Sequence, residues 1–156
     1  MYFHKKHKIN KNLENLLNGV QIDTPRVVIP WSIEKCEFDK LFHSHEIHSI
    51  TKSDCLVKGV TFLGEKNCNM GVSFDPLLNR IAFSRNEYQG HKGLVKSYRS
   101  FNNALIEAFG EPNEHKKELE EFEDCIWRVS GTVEIHHYVM DRFGLGEHLY
   151  LKYISQ

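Results

Sequence analysis

Apolar residues along this chain recur with two different periods, and the change from one to the other predicts where helices give way to strands. Leu13, Leu16, Leu17 and Val20 fall at helical spacing from Asn10, with Gly19 near the end as a stop. Arg26-Val27-Val28-Ile29 reads as an extended segment closed by Pro30, because the residue before a proline avoids helical geometry. Ser32 is a good N-cap for a helix over residues 33–42. Glu34 suits its positive end, and Ile33, Cys36, Phe38, Leu41 and Phe42 supply its apolar side.

Three short β-rich runs follow, at residues 56–63, 71–74 and 80–84, separated by turn-forming stretches at 64–69 and around Asp75-Pro76 and Asn79. Residues 86–97 carry two glycines and no firm period, which predicts a loop. The strongest helical pattern comes next. Ser97 or Ser100 would cap it, and Phe101, Leu105 and Phe109 form a stripe that Ile106 and Ala108 widen. Gly110 and Pro112 end it, since neither continues a helix. A polar stretch at 111–124 then leads to three more strand-like runs, 125–129, 132–139 and 147–154. In the last two, Val133, Ile135, Val139 and Leu149, Leu151, Tyr153 keep a period of two, as expected for a sheet with one packed and one wetter face.

The elements imply an α+β fold: two helix-plus-three-stranded antiparallel meander units packed as one domain, with the helices at 33–42 and 101–109 covering the apolar face of the sheet. The expected repeats are 26–85 and 97–156, offset by about seventy residues, and residues 1–9 are expected to be a mobile tail. A length of 156 residues suits one domain over 1–156, and 40% hydrophobic with 26% charged residues gives enough apolar surface for a core. Twenty Lys+Arg against 21 Asp+Glu leave a formal charge of -1, without the basic surplus that phosphate binding needs. No apolar run reaches about 18–20 residues, so no membrane-spanning helix is expected. The opening MYFHKKHKINKN lacks an apolar signal core, which suggests the cytoplasm.

The order of elements, with the helix stop Ala108-Phe109-Gly110-Glu111-Pro112, resembles small bacterial domains in which one helix packs on an antiparallel sheet. That unit is used once in the outer-membrane assembly lipoprotein fold and twice in β-lactamase inhibitor protein. The layout also resembles the immunity proteins of bacterial polymorphic-toxin and contact-dependent-inhibition systems. That resemblance implies a non-enzymatic protein that binds and neutralises a cognate toxin in the cytoplasm, many such toxins being nucleases with basic active sites.

Candidate chemistry is sparse. Cys36, Cys55, Cys68 and Cys125 show no C-x-x-C spacing, so reduced thiols serving as small apolar side chains are expected. The histidines concentrate at His43, His45 and His48, but H-E-I-H misses the four-residue spacing of a metalloprotease helix, so no metal or cofactor is assigned. A small metal-dependent hydrolase built on this cluster, with His136 or Cys68, is the alternative reading, and a phage-derived accessory binding protein is another. His136 and His137, adjacent on a strand, point to opposite faces, so one of them should face inward with its polar atoms satisfied. His91-Lys92 with Lys96, Tyr98 and Arg99 forms a short basic-aromatic stretch, too small for direct nucleic-acid binding in a neutral chain. Asp141-Arg142 reads as a turn-stabilising pair.

The remaining feature is acidic. Glu118, Glu120, Glu121, Glu123 and Asp124 place five carboxylates in seven residues, expected as an exposed loop or short irregular helix pinned by Leu119 and Phe122, with Lys116 and Lys117 beside it. Repulsion among these charges would ease if a basic surface docked there, which makes them the expected partner-binding residues toward a basic toxin domain. If these residues do not bind the partner, attention moves to the exposed sheet face expected around Trp127, His136 and Tyr138.

Overall fold

The computed structural model describes residues 10–85 and 89–154; the tail expected at 1–9 lies outside the described residues. In chain order the elements are α1 (Lys11–Asn15), β1 (Gly19–Ile22), β2 (Val27–Pro30), α2 (Lys35–Leu41), β3 (Ile47–Ser49), β4 (Asp54–Phe62), β5 (Glu65–Phe74), β6 (Leu78–Ser84), α3 (Gly90–Phe109), β7 (Glu114–Leu119), β8 (Phe122–Val129), β9 (Val133–Asp141) and β10 (Leu145–Tyr153). The class is α+β with antiparallel strands. Strands β3 to β10 form one eight-stranded sheet in the order β3-β4-β5-β6-β10-β9-β8-β7, and β1 and β2 form a separate hairpin. Each half of the sheet holds four strands where three were expected.

Alternation of side chains gives the sheet two unlike faces. One cross-strand row runs Val57, Met70, Phe83, Leu149, His137, Cys125, and every member is buried. The neighbouring row on that face runs Cys55, Val72, Ile81, Leu151, Ile135, Trp127. On the opposite face the row Leu56, Gly71, Ala82, Tyr150, His136, Ile126 is half-buried throughout. Helix α3 packs against β5, β8 and β10 through Leu94, Phe101, Leu105 and Phe109. Full burial of each such side chain contributes about 1.5–3 kcal/mol. Phe38 and Phe42 of the α2 region join the same core, with Phe38 edge-on to Phe74 at 5.5 Å between ring centroids. Two indole N–H groups tie the chain across the core: Trp31 donates to the Leu16 carbonyl at 2.7 Å and Trp127 to that of Gly110 at 2.8 Å.

Several elements differ from the expectation, each for a local reason. The first helix is only one turn, capped by the Asn10 side chain, and Val20 belongs to β1. Gly19 is needed there because a Cβ would sit 2.4 Å from the Ile29 carbonyl oxygen of the paired strand. Helix α2 begins at Lys35 instead of 33, because the Ile33 carbonyl accepts from Leu78 N–H and Glu34 bridges Leu77, which holds both extended. The connector after α2 contains the short strand β3. Residues 65–69, expected as a turn, belong to β5, and the turn is Leu63-Gly64.

Two corrections matter more. The loop expected at 86–97 is helical from Gly90; residues 86–88 lie outside the described residues, and Ser97 and Ser100 are interior to α3 instead of capping it. The acidic stretch 111–124 is a hairpin, not a loop: β7 and β8 are joined by Glu120-Glu121, with Leu119 opposite Phe122. A polar strand is possible there because β7 is the edge of the sheet, where charge and a register shift between Lys116 and Leu119 also discourage pairing with another chain. Among the described residues no helix is long and apolar enough to cross a membrane.

All four cysteines are unpaired; Cys55, Cys68 and Cys125 are buried, while Cys36 is exposed and not the apolar filler expected. Burial pushes the three inner thiols from an ordinary 9.0 up to about 11. The folded chain therefore keeps protons that the unfolded chain releases, so this contribution to stability is intact below about pH 9 and is lost as pH rises to about 11. A thiol reagent added to the native protein should modify Cys36 fast and the other three only on unfolding, and urea midpoints should fall across that alkaline window. Four equally fast thiols would contradict the packing.

Candidate functional site

The face of the sheet under α3 holds an unexpected chain of polar groups. Parity along β9 turns His137 inward and parity along β10 does the same for Glu147; the His137 side chain is 0% exposed and that of Glu147 3%. His137 Nε2 lies 2.7 Å from Glu147 Oε2 and its Nδ1 3.1 Å from Asn102 Oδ1 of α3. Ser97 Oγ donates to Glu147 Oε1 at 2.5 Å, and Arg85 Nε donates to Ser97 Oγ at 2.7 Å. Arg85 also pairs with Glu65 at 3.4 Å, and Ser100 donates to the same carboxylate. Tyr98 stacks on the His137 ring at 4.4 Å, and Arg85 lies over Phe101 at 4.2 Å.

These groups sit in series, not as a nucleophilic triad. Ser97 donates to one oxygen of the Glu147 carboxylate and His137 binds the other, so the imidazole does not reach the hydroxyl as a serine–histidine pair requires. What the chain does is fix α3 in register on the sheet. His137 is the inward-facing histidine expected from the His136-His137 pair; its partners Glu147 and Asn102, and Ser97 that bonds Glu147, were missed.

The opposite face is the open one. Tyr138 stacks on His148 at 5.0 Å, His136 meets Tyr138 at 4.2 Å, and the Arg80 guanidinium lies 4.5 Å over the Tyr150 ring. His136 bridges Tyr150 Oη at 3.0 Å and Asp124 Oδ1 at 2.5 Å. Burial, with the Arg80 charge, lowers the His148 pKa, and burial raises that of Tyr150. Arg128 grips Glu114 at 2.8 Å, which holds that carboxyl below its usual range, and reaches Glu134 at 3.4 Å. Trp127, expected on this face, is instead wholly buried on the other, because its parity along β8 matches Cys125.

The acidic residues line the β7–β8 hairpin. Glu120 and Glu121 form the exposed turn, Glu123 is exposed, and Asp124 turns onto the open face; Glu118 lies in β7, its side chain outside the described residues. Three of the carboxylates face histidines: Glu121 with His91 of α3, Glu123 with His115 at 3.7 Å, and Asp124 with His136. Tyr98 clamps the hairpin from inside, its hydroxyl donating to the Glu123 carbonyl at 2.6 Å and accepting from the Glu123 N–H at 3.1 Å. Tyr98 is thus a buried anchor and not part of a basic-aromatic surface; burial pushes its hydroxyl pKa up.

Histidines 43, 45 and 48 do not converge. His43 bonds the Lys40 carbonyl, His45 the Ser44 hydroxyl and His48 the Glu46 carboxylate at 2.7 Å. Among the described residues no group of three or more His, Cys, Asp or Glu is placed to hold a metal ion. The Asp141-Arg142 turn is closed by the Arg142 N–H donating to the Gly144 carbonyl at 3.1 Å.

Glu147→Leu should lower the unfolding free energy by about 3–5 kcal/mol, because it leaves His137 and Ser97 buried without their acceptor. His136→Gln, on the open face, should cost about 1 kcal/mol or less. Urea denaturation of the two variants measures the difference, and equal costs would contradict the assignment of faces.

No family model matches the chain, and no curated protein matches it. Among solved structures, the crystal structure of a DUF4309 family protein from Bacillus subtilis is similar, with a TM-score of 0.49 and 17% identity over 94% of this chain and 97% of that one.

Proposed function

We propose that this chain is a non-enzymatic cytoplasmic immunity protein that binds a cognate bacterial toxin, with the β7–β8 hairpin facing a basic toxin domain such as a nuclease. The observation that supports this best is the exposed turn Glu120-Glu121 with Glu123 beside it, at the edge of the sheet and clamped from beneath by Tyr98. Carboxylates held on a rigid hairpin can take the place of phosphates in a basic active site and steer association without first being ordered. Asp124, half-buried and paired with His136, extends the same surface onto the open face. In this reading the eight-stranded sheet is two copies of one helix-plus-meander unit, 26–85 and 97–156, joined edge to edge through β6 and β10.

The test is to search the reading frames beside this chain's own for a toxin domain, co-express the two, and measure binding on the purified pair. The intact chain should protect cells and form a stable complex. The triple variant Glu120→Ser, Glu121→Ser, Glu123→Ser should keep its fold, because exposed ion pairs contribute under about 1 kcal/mol each. It should bind at least about tenfold more weakly, through slower association and with a shallower dependence on salt. Unchanged affinity and salt slope would remove the hairpin from the interface, and absence of any complex would remove the immunity reading.

A further inference from the structure

The end of the molecule that carries the acidic turn also carries the most exposed large apolar side chain among the described residues, Phe143. Of the seven large hydrophobic residues exposed among the described residues, Met140, Phe143 and Leu145 fall within one hairpin tip, and Phe143 is 104% exposed. Phe143 also has φ +59°, a left-handed conformation that bulky side chains rarely adopt. The free chain gains nothing visible from holding an aromatic ring in water on a strained backbone. The arm that holds it is firm: β9 and β10 pair without interruption from Asp141 opposite Leu145 to Val133 opposite Tyr153.

Resting on the binding function proposed above, we infer that Phe143 is an aromatic anchor: it inserts into an apolar pocket of the partner protein, with Met140 flanking it on the open face of the sheet and Leu145 on the face under α3. The charges around the tip choose the occupant. Leu119 and Asp124 of the acidic hairpin share a groove with Met140 and Asp141, so the two hairpins present one surface. The charged groups lining that groove are the carboxylates Asp124 and Asp141 with His136, and no Lys or Arg, while Lys92, Lys96 and Arg99 lie with Glu121 in the neighbouring groove along α3. An anionic bilayer would be repelled, and a second copy would bring the same carboxylates against these. A protein pocket with a basic rim complements both the ring and its surroundings. A preorganised aromatic ring at the centre of an interface, with charges at its rim, is where binding energy concentrates.

The probe is the toxin domain used in the co-expression test above. Phe143→Ser and Phe143→Gly should leave circular dichroism unchanged, since the ring touches little of its own chain, and the glycine variant should unfold no more easily than the parent. Both should weaken binding at least about thirtyfold, mainly through faster dissociation, in contrast to the slower association expected of the acidic-turn variants. Phe143→Trp should retain binding and shift its emission to the blue when the toxin domain is added. Parent-like affinity of Phe143→Ser overturns the anchor while leaving the immunity function standing. If the intact chain does not bind the toxin domain, the function fails and the anchor fails with it. Flotation of the chain with phosphatidylglycerol vesicles, or dimerisation on a sizing column with light scattering, also overturns the anchor if Phe143→Ser abolishes it.

Discussion

His137 stands in a row that is otherwise apolar, between Leu149 and Cys125 on neighbouring strands, and wholly out of reach of water. A polar ring in that place is costly unless both of its nitrogens are matched, and only groups from two other elements match them. Glu147 comes from β10 and Asn102 from α3, while Ser97, five residues earlier in α3, holds the second oxygen of Glu147. The network therefore makes sense only when the helix lies over the sheet in one register. Moving α3 along the sheet would break the polar series ending in Arg85 and Glu65 in addition to its apolar packing.

The rest of the molecule follows from that clamp. With α3 fixed on one side, the other side of the sheet is left half-buried, lined by Tyr138, His136, Tyr150 and His148 in mutual contact. The start of α3 is held at the end where the β7–β8 and β9–β10 turns project, through His91 with Glu121 and Tyr98 with Glu123. Those two hairpins are borne on buried elements instead of free loops, which suits a surface meant to meet a partner with little loss of conformational freedom. Charge guards β7, and short length limits β3, so neither edge offers a long flat template for another strand.

Much of this was legible in the residues. The period of two in 132–139 and 147–154, the breakers around Ser130-Gly131, and the Gly110 and Pro112 stop all correspond to observed elements, because each rests on a local steric or burial rule. What failed rests on context. Gly90 and Gly93 hid the first two turns of α3, although Leu94, Tyr98, Phe101 and Leu105 continue one stripe backward at helical spacing. The edge strand β7 has no buried face to reveal it, so its polar sequence looked like a loop. Trp127 was expected at the surface, yet its parity with Cys125 and Val129 already put it inside. The buried network had a signal too: His137 shares parity with Ile135, and Glu147 with Leu149 and Leu151. Two ionisable residues on inward positions of adjacent strands imply that they meet.

Backbone amide hydrogen exchange on the free protein tests the clamp most directly. If the polar network joins α3 to the sheet as one unit, amides of α3 near Ser97 to Leu105 and those of β9 and β10 near His137 and Leu149 will exchange at one common slowest rate. That rate will respond to denaturant as global unfolding does. If the α3 amides exchange much faster than those of β9 and β10, the helix detaches on its own, and the network does not hold the fold together.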